Sequence, residues 1–163
     1  MNANALTLDA LITRTGIEIF DYLERSITIP VTDQPQAQGD LIVVPSEMLA
    51  REVTERHPEP GSMGYAPPGW FSTTRDVGPT GIEVLRSAAG GNPHTLVADP
   101  GTCTWTTGVV DLRGLALGIV ANSAAAYLIH PEHGASGIAP GRYVIRRQRE
   151  LGFAGGGVML VAD

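Results

Sequence analysis

The sequence predicts a mostly β protein, either a small β-barrel or a sandwich, with an N-terminal helical arm and one short additional helix. The chain has 20 glycines and 12 prolines among 163 residues, and they separate short apolar runs, as turns separate strands. Beyond Pro79 these runs recur about every 8–14 residues, which is typical of small barrels and sandwiches. Charged residues make up only 17% of the chain, against ~25% in an average domain. Neighbouring subunits could therefore cover part of the surface, although a monomer is also compatible with this charge.

Residues 1–38 are predicted to form the arm. Apolar residues over 5–24 recur near the helical period, which predicts a helix. Gly16 interrupts this pattern at a cost of up to ~1 kcal/mol, so the residues after it could instead form a strand. Alternation over 26–31 predicts a short strand, and the polar residues 32–38 predict a linker.

Residues 39–163 are predicted to form one β domain. A strand at 40–45 leads into Ser46, which can cap a helix of about ten residues. Five prolines and four glycines fall within 58–79, too many for a regular element. Because this loop carries Tyr65, Trp70 and Phe71, we expect it to pack on its own domain or at an interface with a neighbour. Seven further strands are expected, at 82–85, 94–98, 103–110, 115–120, 124–129, 142–147 and 158–161.

Composition and charge exclude several classes of protein. A net charge of −6 disfavours broad contact with nucleic acid or with an anionic membrane. Cys103 is the one cysteine of the chain, which excludes an internal disulfide and a cysteine-based zinc site. No apolar run reaches the ~18 residues that span a bilayer. The first ten residues do not resemble a secretory signal, so we expect a cytoplasmic or virion protein.

Histidines form the sharpest chemical pattern. His130 and His133 flank Glu132 directly after an apolar run, and His94 begins another predicted strand. If the two loops meet, the three imidazoles could hold a divalent metal such as zinc, with Glu132 as a further ligand or a base. The alternative is that they are loop histidines with ordinary hydrogen bonds to the backbone.

A second pattern lies near the C-terminus. Arg142, Arg146 and Arg149 fall within one predicted strand and its continuation. Guanidinium groups bind oxyanions with two parallel hydrogen bonds, so these residues are candidates for an anion site. The simpler interpretation is that they pair with some of the 17 acidic residues, within the chain or across an interface.

Five short motifs resemble those of a group of small uncharacterised bacterial and phage proteins: Gly39–Pro45, Gly91–His94, His130–His133, Gly141–Tyr143 and Arg147–Glu150. That group shows Gly-Asp, Gly-His-x-His, His-Glu-Glu-His and Arg-Gln-Arg-Glu-Tyr in the same order. Here Asn92, Pro131 and Leu151 stand where the group has His, Glu and Tyr, so a four-histidine cluster becomes one of three. The resemblance implies a compact β fold and no particular reaction.

Three functions follow from these patterns. The first is a non-enzymatic structural or interaction protein, a homo-oligomer or part of a repeated assembly such as a phage particle, with Tyr65, Trp70 and Phe71 at its interface. The second is a metal-binding module or metal-dependent hydrolase that uses His94 and its two partners. The third is a binder of small anions. We favour the first, the non-enzymatic function, and keep a divalent metal such as zinc as the cofactor of the second.

Overall fold

A computed structural model describes residues 5–61, 65–86, 91–151 and 158–160 of the chain. Two β-sheets pack face to face in this part of the molecule, which confirms the prediction of a mostly β fold. Barrel and sandwich were both compatible with the sequence. Because the two sheets stay separate throughout the described ranges, the fold is a sandwich.

The described elements follow the chain in a simple order, with strands predominating. Their bounds are α1 (Leu8–Thr15), β1 (Val31–Thr32), β2 (Gln36–Gln38), β3 (Leu41–Pro45), a 3₁₀ turn (Ser46–Leu49), β4 (Val53–Thr54), β5 (Thr73–Asp76), β6 (Ile82–Arg86), β7 (Pro93–Val97), β8 (Cys103–Thr107), β9 (Val110–Asp111), β10 (Ala116–Asn122), β11 (Ala126–His130), β12 (Gly134–Ile138), β13 (Gly141–Arg147), β14 (Arg149–Leu151) and β15 (Val158–Leu160).

One sheet has five strands in the order β1-β12-β11-β7-β6, and the other has six in the order β2-β3-β13-β10-β8-β5. All pairs within them are antiparallel except β1 with β12, which is parallel. Two small antiparallel pairs, β4-β9 and β14-β15, complete the described strands. Along the described strands the chain crosses from one sheet to the other five times, between β1 and β2, β5 and β6, β7 and β8, β10 and β11, and β12 and β13, so the two sheets are linked repeatedly.

The core lies between the two sheets, because alternate residues of each strand point inward. The five-stranded sheet contributes Leu96 and Leu128, and the six-stranded sheet contributes Trp105, Tyr143 and Ile145. Tyr143 and Ile145 share the inward face of β13, as the alternation of its sequence predicts.

Helix α1 covers the outer face of the five-stranded sheet. Leu8 and Leu11 pack there against Val97, Tyr127 and Ile129. Since a sheet face of this kind is otherwise left to water, the N-terminal segment completes a third layer. The helix is eight residues long, and no helix within the described ranges has the length and apolar character needed to cross a membrane.

The helix is shorter than the 5–24 pattern predicts, and its caps give the reason. The Thr7 hydroxyl accepts a hydrogen bond from the Ala10 N–H at 3.2 Å, which fixes the start. Gly16 ends the helix with φ of 69°, a left-handed conformation, and donates its N–H to the Ile12 carbonyl. The glycine that interrupts the apolar pattern is therefore the C-terminal cap of the helix.

Four other segments differ from expectation. The segment predicted as a linker contains β2, an edge strand of the six-stranded sheet. The helix expected after Ser46 is a 3₁₀ turn that ends at Leu49, because no side chain caps its first turn, and β4 follows. Strand β5 lies inside the predicted loop 58–79, and the glycine-rich β12 was not expected as a strand.

Candidate functional site

Strand pairing brings two of the predicted histidines together. In the pairing of β7 with β11, Leu96 lies opposite Leu128 and Thr95 opposite Ile129, so His94 falls opposite His130. Both side chains occupy the inward face of the sheet, two residues along from those leucines. Their ring centroids are 4.3 Å apart, and each residue is only 1% exposed.

His133 extends this pair into a stack of three imidazoles. It lies in the turn between β11 and β12, and its ring centroid is 4.6 Å from that of His130 and 6.3 Å from that of His94. His133 is exposed, whereas the other two are buried. The imidazole stack, defined as His94, His130 and His133, therefore leads from the interior of the sandwich to its surface.

A buried carboxylate and an amide hold the inner end of the stack. The Asp40 Oδ1 atom lies 2.8 Å from His94 Nε2, and the Gln38 Oε1 atom lies 3.0 Å from His94 Nδ1. The amide nitrogen of Gln38 donates to the Leu128 carbonyl, which leaves its oxygen to face the ring. An oxygen can only accept, so His94 Nδ1 carries a proton. A second proton lies between His94 Nε2 and Asp40, because two bare acceptors would repel.

The Asp40 carboxylate is placed by a tight turn. Residues 39 and 40 join β2 to β3, and Gly39 has φ of 55°, which a residue with a Cβ rarely adopts. Gln148 fixes this turn from the other end of the chain. Its side-chain nitrogen donates to the Gly39 and Leu41 carbonyls at 2.9 Å each, and its backbone N–H donates to the Asp40 carbonyl.

His130 is held by two hydrogen bonds of opposite direction. Its Nε2 atom donates to the Asn92 carbonyl at 3.1 Å, and its Nδ1 atom accepts from the Glu132 N–H at 3.2 Å. A ring with one donor and one acceptor nitrogen is the neutral imidazole. The Glu132 carboxylate accepts a hydrogen bond from the Asn92 side chain at 2.9 Å, so the two loops that carry the histidines are joined directly.

The ring planes of the stack determine what it can do chemically. The three planes are tilted by 15–33° from one another. A ligated metal lies in the plane of each imidazole, and planes that are close to parallel do not share a nearby point. Coordination by all three rings would require at least one to turn and give up a present contact. As it stands, the arrangement serves hydrogen bonding and packing.

Arg142 and Arg146 lie on the outer face of the six-stranded sheet, in β13. Arg146 is buried, and its Nη2 atom contacts Glu52 at 2.9 Å and Asp111 at 2.8 Å. Burial by itself would raise the pKa of Asp111, but three backbone N–H donors and the Arg146 guanidinium outweigh it, so this pKa lies below its usual range. Asp111 is thus an anion of the protein itself with which the Arg146 side chain is already paired.

Arg142 is similarly paired, with Glu55, which also accepts from the exposed His57. Burial opposes the shift here too, yet the contacts with Arg142 and His57 hold the pKa of Glu55 below its usual range. The side chain of Arg149 lies outside the described part of the chain. The pairing of Arg142 and Arg146 with acids agrees with the simpler of the two interpretations, and an anion site at the three arginines stays a prediction.

The aromatic residues of the loop lie at the surface. Tyr65 is 94% exposed and Trp70 48% exposed, while Phe71 is half-buried. The Arg56 guanidinium carbon lies 4.2 Å from the centroid of a Trp70 ring, which is within range of a cation–π contact. These residues do not contribute to the core between the sheets.

Sequence reasoning missed Gln38 and Asn92, which hold the histidines in place. Gln38 lies in a segment predicted to be a linker, and its partners are 56 and 90 residues away. Asp40 appeared in the Gly-Asp motif but not as a site residue. A signal did exist, because four of the five motifs that carry the resemblance meet in space: Gly39–Asp40, His94, His130–His133 and Gln148 are joined by hydrogen bonds at one end of the sandwich.

Fold and site together define a β-sandwich protein with a stack of imidazoles that begins at a buried carboxylate. Residues 37–148 match the family described as a domain of unknown function, DUF8820, and the chain belongs to this family. The match includes the whole imidazole stack with Gln38, Asp40 and Gln148, and it begins after α1. No curated protein and no solved structure matches the chain.

Proposed function

We propose that this protein is a non-enzymatic structural or interaction protein that forms an oligomer or a larger repeated assembly such as a phage particle. Its copies join through the aromatic segment, defined as residues 65–71. The observation that carries the proposal is the exposure of Trp70 and Tyr65. Tryptophan, tyrosine and arginine are the residues most enriched at interface hot spots, and Arg56 lies against the Trp70 ring.

The C-terminal end of the aromatic segment is anchored to the sandwich, which supports a binding role. The Ser72 N–H donates to the Arg56 carbonyl, the Ser72 hydroxyl donates to the Gly108 carbonyl, and the Arg56 N–H donates to that same hydroxyl. An exposed tryptophan held in this way loses little freedom when a partner covers it, so less of the binding free energy is lost to ordering.

An edge strand continues the same surface. Strand β5 follows the aromatic segment, pairs with β8 on one side only, and has all four residues exposed. Among the described strands it lies at the end of the six-stranded sheet, where a strand of a second copy could add by hydrogen bonding. The low content of charged residues, 17%, adds little repulsion between copies.

The test is the oligomeric state of the full chain, measured by sedimentation velocity over a wide range of concentrations. We expect a concentration-dependent oligomer, and we expect the double variant Tyr65→Ser/Trp70→Ser to weaken association at least about 30-fold, since a tryptophan hot spot contributes ~2 kcal/mol or more. Met48→Ser is the matched control, because Met48 is 61% exposed and lies outside the aromatic segment. A wild-type chain that stays monomeric at every concentration, or equal losses in both variants, would overturn the proposal.

The imidazole stack supports a second candidate, a metal-binding module or metal-dependent hydrolase. The observation in its favour is that two separate segments, one with His94 and one with His130 and His133, bring three imidazoles into one stack beside Asp40. Metal analysis of the purified chain, with His130→Ala as the comparison, tests it. Stoichiometric zinc, iron or manganese that the variant lacks supports this candidate, and less than about 0.1 equivalent in both removes it.

A further inference from the structure

An open cavity of about 200 Å³ lies where the N-terminal segment meets β12. Its walls are mostly aliphatic, and it is lined by Leu8, Leu23, Ile27, Ile29, Pro30 and Ala135, together with Glu24, His133 and Gly134. A cavity of roughly 150 Å³ with apolar walls takes one benzene-sized molecule. This cavity is therefore large enough for a molecule of about six carbon atoms, and the imidazole of His133 forms part of its wall.

Glu24 gives the cavity a negative charge at one side. Its Oε1 atom accepts hydrogen bonds from the hydroxyl and the backbone N–H of Ser26. These bonds, the hydroxyl first, lower the pKa of Glu24 from its usual value, and a glutamate at its usual value is already ionised at neutral pH. The whole chain also carries a net charge of −6, which raises the local concentration of cations rather than anions.

We propose that this cavity binds a small primary alkylammonium ion, with its aliphatic chain against Leu23, Ile27 and Ala135 and its ammonium group beside Glu24. The apolar walls select for the chain, and the carboxylate selects for the positive head over a neutral or negative one. This site is separate from the aromatic segment, so the proposal stands or falls independently of the proposed oligomer.

The first experiment measures binding of a homologous series to the full chain by NMR at neutral pH. Butyl-, pentyl- and hexylammonium are compared with hexanol and hexanoate. Each added methylene should tighten binding about fourfold until the cavity is filled, and hexylammonium should bind more tightly than hexanol, with hexanoate weakest. The imidazole resonances of His133 should shift on binding, whereas those of His57, which pairs with Glu55 elsewhere, should not.

Variants distinguish the contact between Glu24 and the ammonium group from the contact between the cavity walls and the alkyl chain. Glu24→Gln should weaken hexylammonium about two- to fivefold, the range for an exposed ion pair, and leave hexanol unchanged. Glu18→Gln, another exposed acid of the same segment that does not line the cavity, is its control. Ala135→Leu fills the cavity and should abolish binding of every ligand, and Ile27→Ala should weaken all of them. Because Ile27 is 52% exposed, the second wall variant still gives an answer if the first fails to fold.

The outcome has two sides. Chain-length dependence, preference for the ammonium head and loss in Ala135→Leu together establish the site. Absence of any binding by the wild-type chain up to millimolar concentration overturns the proposal, as does equal binding of hexylammonium and hexanoate, or binding that is unchanged in Ile27→Ala and Ala135→Leu.

Discussion

At the scale of single residues, the buried contact between Asp40 and His94 is one on which the stability of the fold depends. The side chains are 6% and 2% exposed, and each provides the hydrogen-bond partner that the other needs once it is buried. Removing one partner of a buried pair leaves the other without compensation for the water it has lost, which costs more than the pair itself contributes. The same reasoning does not apply to ion pairs at the surface.

We therefore expect Asp40→Ala to lower the free energy of unfolding by about 3 kcal/mol, and Asp40→Asn, which still offers an oxygen to His94 Nε2, to cost about half as much. Urea unfolding monitored by circular dichroism measures both. Asp99→Ala is the control, because Asp99 is 59% exposed where it pairs with Arg14, and it should cost less than about 1 kcal/mol. Equal costs for Asp40→Ala and Asp99→Ala would contradict this account.

The candidate residues differ in how far the sequence could predict them. His94 and His130 were found because each lies next to an apolar run, and a strand end is a rigid position that is visible in the sequence. Their contact depends on register across two strands, and the role of Gln38 depends on partners in β7 and β11. Such contacts are set by the tertiary fold, for which a single sequence carries no local signal.

At the scale of elements, the sequence predicted strands well where apolar and polar residues alternate or where a buried run is bounded by glycine or proline. It missed β12, Gly134–Ile138, because glycine has low β propensity and normally marks turns. The structure gives the physical reason for one of these glycines. A Cβ built on Gly137 would lie 2.7 Å from the Pro30 carbonyl oxygen and 2.7 Å from Val31 Cγ2, so glycine permits the close parallel pairing of β1 with β12.

Gly137→Ala should accordingly push β1 away from the sheet and cost about 1–3 kcal/mol, the usual range for overpacking. Since β1 continues the N-terminal segment, trypsin should also cleave the variant faster at Arg25 under native conditions. Gly78→Ala is the control, because a Cβ there meets nothing within 4 Å and the backbone is not left-handed. Urea unfolding and timed proteolysis provide the two measurements, and a Gly137→Ala protein as stable and as resistant as Gly78→Ala would show that the close approach is unimportant.

At the scale of the whole molecule, the chain builds three layers: α1, the five-stranded sheet and the six-stranded sheet. The core between the sheets includes Cys103 and Trp105, each 2% exposed, whereas α1 contributes to a separate cluster outside. Segments that pack on one face alone open at lower free energy than strands buried on both faces. We therefore expect the N-terminal segment to detach while the sandwich stays folded. The two sheets should separate only when the whole protein unfolds.

Cys103 can test this order because its thiol lies in the inner core. Burial raises the pKa of Cys103 to about 11, which at pH 8 lowers the thiolate fraction on the order of 100-fold relative to an ordinary cysteine. In the folded protein a disulfide reagent such as DTNB should react only after global unfolding. The labelling rate should then rise with urea with the same slope as global unfolding followed by Trp105 fluorescence in a Trp70→Phe background. The rate of cleavage at Arg25 should rise with urea with a smaller slope.

Fast labelling without urea, or a labelling slope as small as that of cleavage, would mean that the two sheets separate locally and that the inner core is not the most stable part of the protein.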